Sequence, residues 1–143
     1  MNNTVLETLI DTTYDSVEGY RKAAETAKSA ELKQILLSQA EKRQATLGML
    51  NTELVRLGGE LVTKGTMTGS LHRMWMNITD LFNDGDEAAA ERVEEGEDYL
   101  AKKFEEALEH ADLDPQTRSV IQTAYSEVKE GERLTDQLEK KYD

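Results

Sequence analysis

Carboxylates are the groups most able to do chemistry in this chain, and their chemistry depends on how helices space them. A bridged pair of metal ions inside a helical bundle takes one Glu from each of two helices and a Glu-x-x-His from each of the other two. Three residues apart on a helix, carboxylate and imidazole point the same way and grip one ion, while bridging carboxylates offset the charge of two cations. The two histidines are His72 and His110, and the residues three before them are Gly69 and Ala107, so neither completes the motif. Glu41-Lys42-Arg43-Gln44 keeps the spacing with an amide in place of imidazole, and Arg43 carries positive charge toward the place cations would occupy. The expectation is therefore no metal, no other cofactor and no catalytic residue. Its alternative is a carboxylate-held Fe or Mn, in a metal-binding or oxidase-like protein, drawing on Glu18, Glu97, Glu127 and Glu132. Other chemistry lacks its parts: there is no Gly-rich phosphate loop, no G-x-S-x-G elbow and no cysteine for a thiolate, a disulfide or a nucleophile.

Arg43 is the sharpest single residue. Lys33, Leu36, Ala40, Arg43, Leu47, Leu50, Leu54 and Leu57 recur in steps of three and four, the seam of one amphipathic helix. From Leu32 to Leu57 that helix is roughly 39 Å long, and Arg43 interrupts its apolar stripe near the middle. A second seam, Ala90, Val93, Glu97, Leu100, Phe104, Ala107 and Ala111, is likewise broken by one charge, Glu97. If the two helices descend from the same end of a bundle, Arg43 and Glu97 reach the same level within about one turn; if they oppose, they miss by roughly 7 Å. Burying either charge alone costs several kcal/mol, whereas a bidentate arginine–carboxylate pair satisfies most donors and acceptors and is at best near neutral for stability. A polar core pair, Arg43 with Glu97, is the expectation. The plainer alternative leaves the guanidinium at the rim on its long stem. Glu127 and Glu132 flank the last helix's seam as further partners, and Glu18 lies one residue beyond the first helix's seam.

The elements that must position these groups are helical. A chain of 143 residues is one domain of ordinary size, residues 1–143, with a single proline at Pro115 and long windows rich in Ala, Glu, Leu, Lys and Gln, so the class is all-α. Helices are expected at about 3–28, 30–57, 86–111 and 115–142, with a short helix at 69–83 inside a long connection. Leu6, Ile10, Thr13, Val17, Tyr20, Ala24 and Ala27 form the first seam, and Thr117, Ile121, Ala124, Val128, Gly131, Thr135, Leu138 and Tyr142 the last. Ser29 and Asp114-Pro115 supply helix starts, and Gly58-Gly59 a stop. Residues 58–85 exceed a bundle turn and suit a crossover joining two helical hairpins, the ferritin-like arrangement. Gly19, Gly48, Gly96 and Gly131 interrupt the four helices, pointing to close helix approach, room for a large ring, or a ligand cavity.

Charge narrows the partners. With 29 acidic against 17 basic residues the net charge is −12, which repels phosphate backbones and anionic lipid, so neither nucleic acid nor membrane is expected. No run approaches the roughly 20 apolar residues that span a bilayer, and the N-terminus lacks a basic, then apolar, leader, so the expected setting is cytoplasmic. Leu71, His72, Arg73, Met74, Trp75 and Met76 make the most patch-like segment, a cap on the bundle or a surface for a second copy or a protein partner.

Several of these stretches together resemble an uncharacterised bacterial family of ferritin-like four-helix bundles, a domain of unknown function. They are Glu18-Gly19-Tyr20, Arg43, Leu57-Gly58-Gly59, the segment from Leu71 to Met76, and Gly96-Glu97-Asp98. The resemblance spans nearly the whole chain and implies a ferritin-like fold in a bacterial protein, but no established activity. Many relatives carry a histidine near the end of helix four where this sequence has Glu132-Arg133, which weakens the metal alternative further. The functional expectation is a non-catalytic bundle acting through its surface, in self-association or partner binding, with a stress association by fold analogy alone.

Overall fold

The computed structural model describes residues 3–62, 85–110 and 112–142. Four helices carry the chain: α1 (Thr4–Thr26), α2 (Ala30–Arg56), α3 (Gly85–His110) and α4 (Pro115–Tyr142). Among the described residues there is no strand, and no helix is long and apolar enough to cross a membrane. The short helix expected at 69–83 and the segment from Leu71 to Met76 lie outside the described residues.

Local chemistry sets the helix ends. Ala27 is extended (φ −63°, ψ 139°), which stops α1 just short of the expected boundary. Ser29 then caps α2, its hydroxyl accepting from the Leu32 amide at 3.3 Å. At the other end Gly58 takes φ +88°, its amide bonding the Val55 carbonyl and that of Gly59 the Leu54 carbonyl, both at 2.9 Å. That is a Schellman stop, and the left-handed residue is the glycine such a stop favours. Beyond it the Asn51 side chain pairs both ways with the Val62 backbone at 3.0 Å, so the chain has already turned back along α2. Asp114 accepts from the Thr117 amide at 2.8 Å and starts α4 at Pro115.

Contacts between helix ends fix direction. Asp86 at the start of α3 accepts from the amides of Lys28 and Ser29 at 2.6 and 3.1 Å, so α3 begins where α1 ends and α2 begins. Arg56 reaches Asp114 at 3.3 Å, and Lys141 reaches Glu31 at 3.0 Å, so α4 runs back along α2 from its far end. The main packings are α1 on α2, α3 on α4, α1 on α3 and α2 on α4. Hence α2 and α3 point the same way on opposite corners, and Arg56 and Gly85 lie at opposite ends of the bundle.

The seams read from the sequence face inward except at Lys33, which is exposed while its neighbour Leu32 takes the buried place, and their described apolar residues form two clusters. One is rich in bulky side chains, including Leu6, Ile10, Leu47, Leu50, Phe104 and Ile121; the other is rich in alanine, including Ala23, Ala24, Ala89 and Ala90, with Tyr20, Leu32 and Leu36. Between them lies a polar level.

Candidate functional site

That level is built by one turn of each helix. Position 43 falls on the inward stripe of α2 between Ala40 and Leu47, so Arg43 has no route outward: it is 0 % exposed, and Glu97, delivered by the α3 seam, is 1 % exposed. So deep a charge has to be met by protein partners, because an unpaired buried charge is costly. Arg43 Nη1 and Nη2 donate to the two Glu97 oxygens at 2.5 Å each, a bidentate fork. Nε donates to Glu127 Oε1 at 2.9 Å and Nη2 also to Glu127 Oε2 at 3.3 Å. Nη1 completes the set on the Ser16 hydroxyl at 2.5 Å. All of the guanidinium's N–H donors are thereby used.

The carboxylates are held as well. Thr46, one turn below Arg43 on α2, donates to Glu127 Oε1 at 2.7 Å, and Gln39, one turn above, approaches Oε2 at 3.5 Å. Glu127 is 22 % exposed and is the one link from this level to solvent among the three charged groups. Tyr20 of α1 sets its ring beside the guanidinium, 5.5 Å from ring centre to Cζ, and its buried hydroxyl lies in the field of Glu97. Gly131 of α4 leaves the space: a Cβ there would stand 2.1 Å from Glu97 Oε2, 2.7 Å from Gln39 Nε2 and 2.9 Å from Arg43 Nη2. The interior glycine is thus filled by this network, not by a ligand cavity.

Two carboxylates share one cation here, and the titration behaviour follows. Burial pushes Glu97 up from the ordinary carboxylate range and Glu127 adds to the rise, while Arg43 pulls it back. Burial opposes the Arg43 charge, but the Glu97 carboxylate more than offsets it and holds the guanidinium protonated well above its usual value. Burial and then Glu97 raise Tyr20, which stays neutral.

A second polar cluster lies on the outside of the same α3–α4 pair. Glu94, Asp98 and Asp136 each offer an oxygen within 4.8 Å of the others. Asp98 is pushed up to about 8, first by burial and then by hydrogen bonds to Glu132 and Glu94, so it holds a proton that the neighbouring carboxylates accept. Burial works against the charge of Glu132, but the bond from Asp98 and the Lys129 ammonium, 2.6 Å away, keep it below its usual value.

Of the residues singled out from sequence, the structure brings together Arg43, Glu97 and Glu127. Glu132 faces outward beside Lys129, and Glu18 is exposed and pairs with Arg21 at 3.1 Å. His110 ends α3, and His72 lies outside the described residues. Sequence reasoning missed Ser16, Thr46 and Gln39 as partners. The signal for the last two was their spacing, three and four residues from Arg43 on the same helix, which sets them one turn away on its side. Ser16 carried a weaker one, four residues before Tyr20. Asp98 was hidden by adjacency to Glu97.

The buried set does not suit a cation pair: Glu97 and Glu127, the two carboxylates that could bridge metals, are already bonded to a permanently charged guanidinium at the same level. No curated protein and no solved structure matches the chain. A family model spans residues 1–110, the stretch that supplies Ser16, Tyr20, Arg43 and Glu97 to the core, and the chain belongs to that family, described as Domain of unknown function (DUF2383).

Proposed function

We propose that this chain is a ferritin-like bundle whose mid-level polar core has become structural, and that it acts through its surface, by self-association or by binding a protein partner, with no catalytic centre. The helix directions support the ferritin-like part: α2 and α3 run parallel, so residues 57–84 join opposite ends as a crossover does. The observation that carries the reading is Arg43, with every N–H donor bonded to Glu97, Glu127 or Ser16 where such bundles place cations. A tethered cation bonds both inward carboxylates, offsets the charge of one, and links α2 to α1, α3 and α4 in one register. A bacterial, cytoplasmic setting belongs to the same proposal.

The competing reading is an Fe or Mn centre on Glu18, Glu97, Glu127 and Glu132. It requires Arg43 to leave the core and the exposed Glu18 and outward-facing Glu132 to enter it. Incubating the purified protein with Fe(II) or Mn(II) and counting bound metal separates the two. The expected result is no metal whose binding depends on Glu97 or Glu127. Stoichiometric metal that disappears in Glu97→Gln would overturn the structural reading.

A further inference from the structure

Three large apolar side chains stand exposed among the described residues, Leu37 at 43 %, Val55 at 50 % and Leu61 at 60 %, and all belong to α2 or to the turn after it. Val55 ends a line down the outer face of α2. Ser38, Glu41, Ala45, Gly48, Thr52 and Val55 recur in steps of three and four, each is exposed, and Leu37 borders the line. Only Glu41 among those six is charged, in a chain of net charge −12. The exposed charges of the whole helix, Glu31, Lys33, Glu41, Lys42 and Arg56, nearly cancel. Gly48 sits mid-helix, where glycine is unfavourable, and among the described residues no atom lies within 4 Å of where its Cβ would stand, so none of them offsets that cost.

The pattern is self-complementary. Leu37 lies eight residues before Ala45, and Val55 seven after Gly48. Laid antiparallel about a two-fold axis between Ala45 and Gly48, two α2 helices set Leu37 of each copy level with Val55 of the other to within about 2 Å, at 1.5 Å per residue. Ala45 then faces Gly48 at the crossing, where small side chains let the helices approach. Glu41 of one copy comes about 6 Å along the axis from Arg56 of the other, which already bonds Glu53 and Asp114 of its own chain, so that pairing adds little to the contact. The two Lys42 residues stay about 13 Å apart along the axis, beyond a Debye length at physiological salt. Contact from Gln34 to Val55 would bury on the order of 1,000 Å² in total, the lower end for a specific interface.

We propose that the outer face of α2 is the contact between two copies of this chain, related by a two-fold axis between Ala45 and Gly48. The inference rests on the self-association reading above and names its surface. Sedimentation equilibrium of the full chain across micromolar concentrations is expected to show a reversible monomer–dimer equilibrium. Ala45→Glu combined with Gly48→Glu places four like charges at the axis and is expected to weaken the dimer at least about 30-fold. Both positions are exposed, so the helical circular-dichroism signal should hold. Gln122→Glu with Thr123→Glu, on the outer face of α4, should leave association unchanged. Because the chain has no cysteine, a lone Gly48→Cys should be captured as a dimer by a short bis-maleimide, and a lone Thr123→Cys should not. A dimer indifferent to the paired glutamates would overturn this face while leaving self-association standing. A monomer at every concentration would overturn both, and metal bound at Glu97 would overturn the structural core alone.

Discussion

Glu97 and Asp98 are neighbours in sequence, on the same helix and beside the same partner helix, yet their carboxylates are neutralised in different ways. On the inner side of the α3–α4 pair, Glu97 and Glu127 meet a guanidinium held in place by α2. On the outer side, Asp98 meets Glu94, Glu132 and Asp136 and is neutralised by a proton. Accessibility makes the difference. A proton from water reaches the rim at any time, so acids can be crowded there without a dedicated cation. In the core a counter-charge must be built into the chain with its own hydrogen-bond geometry, because an unpaired buried charge costs several kcal/mol. Inner and outer faces should therefore respond to different perturbations: the first to removal of the cation, the second to pH.

The sharpest break of that contrast is Arg43→Met, which strands Glu97 in the apolar interior and takes the counter-charge from Glu127 at its edge. It is expected to destabilise the fold by about 3–5 kcal/mol in urea denaturation, the usual loss when one partner of a buried pair is removed. Adding Glu97→Leu and Glu127→Leu to the same chain should recover much of that loss, since apolar replacement of a whole buried ion pair is often neutral. If Arg43→Met cost less than about 1 kcal/mol, the core carboxylates would be taking up protons as the rim does.

How far this arrangement could be read from sequence depends on which atoms carry the information. Periodicity places Arg43 and Glu97 inward, because an inward position is a property of the stripe alone, and the level of each follows from counting residues from its helix start. The stop at Gly58-Gly59 and the start at Asp114-Pro115 are equally local. Orientation about the helix axis at the edge of a stripe is not local. Ser16 flanks the α1 seam and faces Arg43 only because α1 packs beside α2 and α3 at one particular rotation. Glu132 flanks the α4 seam in the same way and turns outward to Asp98. Nor does composition distinguish a glycine that makes room for side chains from one that faces outward. Periodicity puts Gly131 on the α4 seam and Gly48 off the α2 seam, but only the packing shows which side chains fill the space beside Gly131.

Those two glycines give the next test, because the same substitution should act in opposite directions. Gly131→Ala drives a methyl group into Glu97, Gln39 and Arg43 and should cost about 1–3 kcal/mol as the network shifts, despite alanine's better helix propensity. Gly48→Ala meets nothing within 4 Å among the described residues and should stabilise by about 1 kcal/mol. Urea midpoints of both variants, measured at a concentration too low for copies to associate, give the two signs directly. Equal effects would mean that the space at Gly131 is not set by the buried charges.

The smallest effect, and the one that probes the outer face, is the pH dependence of stability. Folded Asp98 keeps its proton up to about pH 8, whereas in the unfolded chain it releases it near the ordinary aspartate value of about 3.9. Between those values the folded state binds more protons, so stability rises as pH falls from about 9 toward 5 and is lost again as pH climbs through the folded value. Glu97, also raised, contributes with the same sign. Asp98→Asn is permanently neutral and removes the Asp98 part of the slope, so urea midpoints compared between about pH 6 and pH 9 should vary less in that variant than in the natural chain. Whatever slope survives in Asp98→Asn but vanishes in Asp98→Asn with Glu97→Gln belongs to the core. A wild-type slope that Asp98→Asn leaves untouched would put the proton beside Arg43, and the two faces of the α3–α4 pair would then differ only in how deeply the same proton is buried.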